Sequence, residues 1–171
     1  KLIEQLLDYN RKQADGPVAR EEVDLVELVE NVVAAHSLPA RAKLMHTELA
    51  LRARHCLAEP ALLISVMDNL YSNAVHYGAE SGNIRIHSYR HGEQVRIDVA
   101  NSGEPIPAAE KNMIFEPFYQ GSHQRKGAVK GSGLGLSIAR DCVRQMQGEL
   151  SLVDAPAGQV CFRITLPSAP E

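Results

Sequence analysis

The sequence lacks the features that would point to a membrane span, a nucleic-acid surface or a disulfide-stabilised fold. No apolar run approaches the ~20 residues of a transmembrane helix, and no signal peptide is visible. The formal net charge of -3 provides none of the positive excess that nucleic-acid binding normally requires. Three cysteines, Cys56, Cys142 and Cys161, match no metal-ligand or redox spacing. We interpret them as small buried residues of a protein in a reducing compartment.

The remaining composition is that of an ordinary globular domain with a short appendage. The 171 residues are 44% hydrophobic and 23% charged, and they contain no internal repeat. Residues 1–13 show helical periodicity, which Asp15-Gly16-Pro17 ends. We therefore predict an appended helix and linker over 1–17 and a main domain over 18–171. Since the chain begins within a helical pattern and without a methionine, we expect it to be a fragment of a longer protein.

The main domain mixes helical periodicity with alternating strand patterns. Helices are predicted over 25–43 with an interruption near Pro39, and over 59–77, 108–112 and 134–147. Strands are predicted over 23–25, 46–52, 55–57, 83–90, 94–100, 149–154 and 160–166. Helices combined with antiparallel hairpins predict an α/β fold, a two-layer α/β sandwich.

The predicted helix over 59–77 carries Asn69 and Asn73 on one face, with Tyr77 one turn further on. Asparagine is a poor residue for a helix interior, so a pair on one face needs an explanation. A carboxamide oxygen is a hard ligand of the kind that Mg²⁺ takes together with waters and phosphate oxygens. A solvated polar face is the alternative, and these residues alone do not separate the two.

A glycine-rich segment leads directly into the last predicted helix: Gly131-Ser132-Gly133-Leu134-Gly135-Leu136. Glycines let backbone N–H groups approach an anion, and a helix N-terminus favours negative charge. The segment is not a P-loop, because it has no Gly-Lys-Ser/Thr ending. The dinucleotide fingerprint is disfavoured as well, because this segment follows a polar loop rather than a strand. A flexible turn before a helix is the remaining alternative.

Two further segments precede the glycines. The stretch over 119–131 has no periodicity and is rich in positive charge (His123, Arg125, Lys126 and Lys130), so it is typical of a lid over phosphates, or else of a solvated basic loop.

The strand over 94–100 ends in the turn Asn101-Ser102-Gly103-Glu104-Pro105-Ile106-Pro107. The Asn101 carboxamide can offer both an acceptor and a donor to a purine edge, although plain turn chemistry also explains it. Phe115-Glu116-Pro117-Phe118 lies between the turn and the lid, and such a phenylalanine pair is most often core.

These segments, in this order, resemble the N, G1, F and G2 boxes of the catalytic domain of sensor histidine kinases, those of enterobacteria in particular. The resemblance extends over about residues 20–167. It implies the Bergerat ATP-binding fold, in which a mixed, mostly antiparallel sheet is covered by helices on one face. It also implies ATP and Mg²⁺ as cofactors.

The resemblance further implies where the nucleotide binds. Adenine would lie near Asn101, Gly103, Ile106 and Tyr77. Asn73 would bind Mg²⁺ with help from Asn69, and these two are the expected catalytic residues. The phosphates would lie under the lid, and the expected contacts there and around the base are His76, Phe115, Phe118, Lys126, Lys130, Gly131, Ser132, Gly133, Leu134, Gly135 and Leu136.

Three residues depart from the family pattern. Asn101 replaces the usual aspartate that reads adenine, Pro105 replaces the second glycine of the G1 box, and His76 replaces a lysine that often contacts phosphate. Asn101 keeps an acceptor oxygen but brings no charge. We therefore expect modest nucleotide affinity.

The residue at position 69 bears on the reaction. Related ATPases carry a glutamate four residues before the metal-binding asparagine, as the base that activates water. Asn69 takes up no proton at neutral pH, so the site lacks the base that hydrolysis of ATP by water would need. Phosphoryl transfer, by contrast, mainly needs positioning and charge neutralisation. The resemblance thus implies an enzyme, a protein histidine kinase that phosphorylates a histidine on a dimeric helical hairpin for relay to an aspartate of a response regulator.

The phosphoacceptor motif of such kinases, His-Glu/Asp-x-x-x-Pro, does not occur in this sequence. His36-Ser37-Leu38-Pro39 lacks the acidic neighbour and has its proline too near, so we take His36 as an ordinary surface or cap residue. Residues 1–17 would be the end of the second hairpin helix and its linker, with the acceptor histidine before Lys1. The expected partners are those helices in a homodimeric parent and a receiver domain. The expected location is the cytoplasmic side of a bacterial inner-membrane sensor.

Two other functions are compatible with the same segments. An ATP-driven clamp of the gyrase or MutL kind is disfavoured by Asn69 and by the lack of a transducer domain. A nucleotide-binding regulatory module or pseudokinase without phosphotransfer is favoured by the departures at Asn101, Pro105 and His76.

Overall fold

The computed structural model describes residues 18–117 and 135–168. The appended helix and the boundary at 15–17 lie outside these residues and stay predictions. In chain order the elements are β1 (Glu21–Asp24), α1 (Leu25–Ala35), α2 (Ser37–Ala42), β2 (His46–Leu51), β3 (His55–Ala58), α3 (Pro60–Tyr77), β4 (Asn83–His91), β5 (Gln94–Ser102), a 3-10 turn (Ala108–Glu110), α4 (Gly135–Gln145), β6 (Glu149–Val153) and β7 (Gln159–Pro167).

The main sheet has five strands in the order β2-β4-β5-β7-β6. Only β2 and β4 run parallel; the other neighbours are antiparallel. The mixed, mostly antiparallel α/β sandwich that the resemblance implied is confirmed. A separate two-stranded sheet pairs β1 with β3, which the strand predictions did not anticipate.

The core lies between the helices and one face of the sheet. Alternate residues of the central strands point inward, as the two-residue period of a strand requires. The buried strand residues are Ile84, Ile86, Val95, Ile97, Val99, Phe162, Ile164 and Leu166. They meet the buried face of α3, formed by Leu62, Leu63, Val66, Met67, Leu70, Tyr71, Ala74 and Val75. This packing fixes which face of α3 remains for the two asparagines.

The predicted helix over 25–43 is in fact two helices that separate at His36, not at Pro39. Pro39 lies in the first turn of α2, where its missing N–H costs no hydrogen bond. The His36 backbone leaves the helical region instead (φ -109°, ψ 18°). Its cap position was predicted, but its side chain is not an ordinary surface group. The Nε2 atom lies 2.6 Å from Asp68 Oδ1, and only 21% of the His36 side chain is exposed.

The three cysteines are buried, as predicted, and none of them forms a disulfide bond. Burial raises the pKa of Cys56 to about 12 and that of Cys161 to about 11, so both thiols stay protonated. Across residues 18–117 and 135–168, no helix combines the length and apolarity that crossing a membrane requires.

Candidate functional site

The face of α3 that carries Asn69 and Asn73 turns away from the fully buried stripe, and both residues are half-buried. The helix starts at Pro60, and the Glu59 carboxylate caps it by accepting a hydrogen bond from the Leu62 N–H at 2.7 Å. No described residue forms a hydrogen bond with the side-chain amide of Asn69 or of Asn73. Two half-buried amide oxygens are thus available to a ligand from one helix face.

The N-terminus of α4 meets this face. A Cβ atom added to Gly135 would lie 3.4 Å from Asn69 Oδ1 and 3.9 Å from Asn69 Cγ. Because α4 begins at Gly135, the positive end of its dipole lies beside the asparagines. Two segments that are far apart in sequence therefore form one polar corner with amide oxygens on one side and a helix N-terminus on the other.

The C-terminal end of α3 holds His76 and Tyr77, both half-buried. Their rings are edge to face, with centroids 4.6 Å apart. Burial raises the pKa of Tyr77, so its phenol is a neutral hydrogen-bond donor near pH 7. His76 Nε2 is buried, and no described residue forms a hydrogen bond with it. An unpaired buried ring nitrogen is costly unless a ligand or another part of the chain pairs with it.

Hydrogen bonds hold the end of β5 and the turn after it. Asn101 and Ser102, which the sequence analysis placed in the turn, are the last two residues of the strand. Asn101 is 7% exposed, and its Nδ2 donates to Ser102 O at 3.0 Å, which leaves its Oδ1 as an acceptor. The Ser102 carbonyl also accepts from Ala79 N at 2.9 Å. Gly103 N donates to Gly158 O at 2.9 Å, in the turn between β6 and β7. Residues that precede β4 and β7, the two strands that flank β5, therefore hold the Asn101 acceptor in place.

Two other predicted residues support the site from the core. Ile106 is half-buried against the core. Phe115 is 5% exposed and packs edge to face on Phe162, with ring centroids 6.1 Å apart. The Arg140 guanidinium lies 4.9 Å from the centroid of the Phe115 ring. Phe115 thus anchors the segment after the turn to β7 and α4.

The structure brings Asn69 next to Gly135, with Asn73 one turn further along the same helix, and it ties the segment after α3 to the end of β5. Leu136, the residue after Gly135, is half-buried against the core. Seven predicted contacts lie outside the described residues and stay predictions: Phe118, Lys126, Lys130, Gly131, Ser132, Gly133 and Leu134.

The sequence did not point to Lys43, Ser102, Gly158 or Arg140. Each acts on backbone groups or on a ring that is distant in sequence. Ser102 lies within the turn quoted above but was given no role there, and the other three belong to no motif. Gly158 carries one local signal, since glycine readily adopts its φ of 81°.

Comparison with known proteins identifies the family. The sequence pattern of the family described as histidine kinase-, DNA gyrase B-, and HSP90-like ATPase matches residues 58–170. Sensor histidine kinase GlrK of Escherichia coli strain K12 is 73% identical over 169 residues, which is 99% of this chain. The chain spans 36% of the length of that relative.

Solved structures give the same result. The catalytic domain of histidine kinase ThkA has a TM-score of 0.74 at 28% identity, covering 90% of this chain and 100% of that domain. ThkA in complex with the response regulator TrrA has a TM-score of 0.77 at 26% identity, covering 99% of this chain and 47% of the ThkA chain.

The resemblance that the asparagine helix and the glycine segment indicated is thereby confirmed, and the chain belongs to the histidine kinase-, DNA gyrase B- and HSP90-like ATPase family.

Proposed function

We propose that this chain is the catalytic domain of a sensor histidine kinase, which transfers the γ-phosphate of ATP to a histidine on a dimerisation helix of its parent protein. The observation that carries the proposal is the contact between Asn69 and Gly135, because it joins the asparagine face to the start of α4. The 73% identity to GlrK supports the kinase over the other members of the family.

The phosphate tail would lie at the N-terminus of α4, where backbone N–H groups and the helix dipole favour anions. The residues present fit Mg²⁺, because the amide oxygens of Asn73 and Asn69 are hard ligands that no described neighbour occupies. Bound there, Mg²⁺ would neutralise charge on the phosphates. Lys126, Lys130 and the unpaired His76 Nε2 are the further candidates for phosphate contacts.

The adenine end is served by Asn101, Tyr77 and Ile106. The free Oδ1 of Asn101 is an acceptor suited to the exocyclic amino group of adenine. Guanine carries a carbonyl oxygen at that position, which would face the same acceptor unfavourably. The site would therefore select adenine by one neutral hydrogen bond, without a carboxylate.

Asn69 directs the reaction toward transfer rather than hydrolysis. A carboxamide has no proton affinity near neutral pH, so it cannot serve as the base that activates water. A neutral imidazole nitrogen is itself a nucleophile and needs no such base. The parent protein would supply that histidine and pass the phosphoryl group to a response regulator, with this domain on the cytoplasmic side of a membrane sensor.

The test mixes this chain with a separately produced helical hairpin from the parent protein, in the presence of radiolabelled ATP. We expect acid-labile label on the hairpin only when both components are present, and none on a hairpin whose acceptor histidine is replaced by glutamine. Label on this chain alone would contradict the proposal. Nucleotide binding without transfer would indicate the regulatory module, and steady phosphate release would indicate an ATPase clamp.

A further inference from the structure

Lys43, in the connection between α2 and β2, contacts the end of α3 through its side chain. Its Nζ lies 2.8 Å from Val75 O, 3.0 Å from His76 O and 2.6 Å from Gly78 O. The last carbonyl groups of a helix have no partner within the helix, and they form the negative end of its dipole. An ammonium group offers three donors and the opposite charge. Lys43 therefore caps the helix that carries Asn69, Asn73 and Tyr77.

The backbone of Lys43 holds the turn that follows the same helix. Lys43 O accepts a hydrogen bond from Ser81 N at 2.8 Å. Ser81 has a φ of 58°, a conformation that a side chain adopts only when its surroundings enforce it. Gly78, at the other end of this turn, is buried, and a Cβ atom there would overlap Ala74 O and Met45 Cε. One residue thus fixes both ends of the turn over 78–82.

This turn leads to the Asn101 carboxamide through a continuous set of hydrogen bonds. Ala79 N donates to Ser102 O at 2.9 Å, and Asn83 N donates to Ser102 Oγ at 2.9 Å. Asn101 Nδ2 donates to the same Ser102 carbonyl at 3.0 Å. A displacement of the turn would therefore move Ser102, and with it the orientation of the Asn101 acceptor.

We propose that Lys43 is a positioning residue for adenine recognition: it sets the position of Tyr77 relative to Asn101 without touching the nucleotide. The proposal rests on the proposed function, because these two residues matter only if adenine binds between them. The proposal predicts different effects at the two ends of the site, the adenine end and the phosphate end. The contact of Gly135 with Asn69 does not involve the turn over 78–82, so the phosphate end should be less affected than the base end.

The test measures ADP and GDP affinities of the 171-residue chain and of Lys43→Met by calorimetry or competition. Methionine keeps the length of the side chain but has no donors. Because Lys43→Met would misplace the Asn101 acceptor, the cost is that of the adenine hydrogen bond that is weakened, so we expect ADP to bind roughly tenfold more weakly and the preference for ADP over GDP to narrow. Lys43→Arg keeps the charge and the donors, so it should retain a large part of the ADP affinity and of the preference for ADP over GDP.

The matched control is Glu59→Ala, which removes the cap at the opposite end of α3. It should lower the melting temperature as Lys43→Met does but leave ADP affinity and base preference unchanged. If Lys43→Met does not fold, Lys43→Gln gives a milder form of the test: its amide can still donate to two carbonyls but carries no charge, so ADP affinity and base preference should fall between those of Lys43→Arg and those expected for Lys43→Met.

Wild-type ADP affinity and base preference in Lys43→Met would overturn the positioning role. Equal losses in Glu59→Ala would also overturn it, by showing a general effect of helix stability. Failure of the unmodified chain to bind ADP would remove the proposed function and this inference together.

Discussion

Asn101 is the residue on which adenine recognition depends most directly in the proposed site. It is 7% exposed, and its amide nitrogen is occupied by Ser102 O. We predict that Asn101→Ala abolishes ADP binding in calorimetry, because the acceptor is lost and the buried space is left unfilled. One such hydrogen bond in a buried site is worth roughly tenfold or more in affinity, which would take the modest affinity expected here below the range that calorimetry detects.

The matched variant is Asn101→Asp, which keeps an acceptor oxygen at the same position. It should retain ADP binding, although it exchanges the bond to Ser102 O for a contact between two oxygens. Unchanged ADP affinity in Asn101→Ala would remove Asn101 from the site.

Residues proposed to act through their side-chain chemistry could be singled out from the sequence, whereas residues proposed to act on the backbone could not. Asn69, Asn73 and Asn101 are unusual choices for their local structure, so each carries a signal. Lys43 binds carbonyl groups, which every residue possesses, and nothing in residues 75–78 marks them as its targets. Its position became visible only when the fold brought the α2–β2 connection to the end of α3.

At the scale of elements, two neighbouring residues at the C-terminus of α4, Gln147 and Gly148, have different roles in ending the helix. Gly148 N donates to Val143 O at 2.9 Å, and Gln147 N donates to Arg144 O at 3.1 Å, which is the Schellman pattern. The sequence predicted the stop at Gly148. The left-handed residue is Gln147, however, with a φ of 67°.

Gly148 is needed for packing instead. A Cβ atom there would overlap Thr165 O of β7 and approach Leu166 Cδ2 at 2.9 Å. We predict that Gly148→Ala lowers the free energy of unfolding by about 1–3 kcal/mol, the usual cost of overpacking, and that Gln147→Gly raises it by up to about 1 kcal/mol by relieving the left-handed strain. Urea unfolding of both variants measures the two effects.

Gly92→Ala isolates the left-handed strain that Gln147→Gly should relieve, because Gly92 has a φ of 62° and a Cβ atom added there would meet nothing within 4 Å. It should cost no more than about 1–2 kcal/mol. A Gly148→Ala variant as stable as the unmodified chain would show that β7 moves to make room.

Element types followed well from periodicity, whereas interruptions and pairings did not. The long α3 combines a capping residue, a proline in its first turn and a continuous buried stripe, so its prediction was confirmed almost to the residue. The helix breaks at His36, whose side chain contacts Asp68, 32 residues away in sequence. The pairing of β1 with β3 likewise depends on how the chain folds back after β2.

At the scale of the whole molecule, ligand binding should raise stability by mass action. At 100 times its dissociation constant, Mg-ADP would add about 2.7 kcal/mol to the free energy of unfolding. For a domain of this size, that corresponds to roughly 5–10 °C in Tm. We predict this increase by thermal scanning, and a smaller one when EDTA removes Mg²⁺.

Asn73→Ala tests whether the metal acts at the proposed place. It should reduce the Mg²⁺-dependent part of the increase while leaving the Tm of the unliganded chain nearly unchanged, since no described neighbour bonds to this side chain. If EDTA reduces the ligand-dependent increase in Tm equally in the unmodified chain and in Asn73→Ala, Mg²⁺ binds elsewhere.

The sheet that supports the site also has a consequence for how the chain folds. The hairpins β4–β5 and β6–β7 join strands that are close in sequence, but β5 pairs with β7 so that Ser102 lies opposite Gln159. This central pairing closes a long loop of chain and raises the contact order of the domain, which slows folding. Each doubling of such a loop costs only about 0.6 kcal/mol of stability. A longer connection between β5 and β7 should therefore cost little stability, and the folding rate is the property that it would affect most.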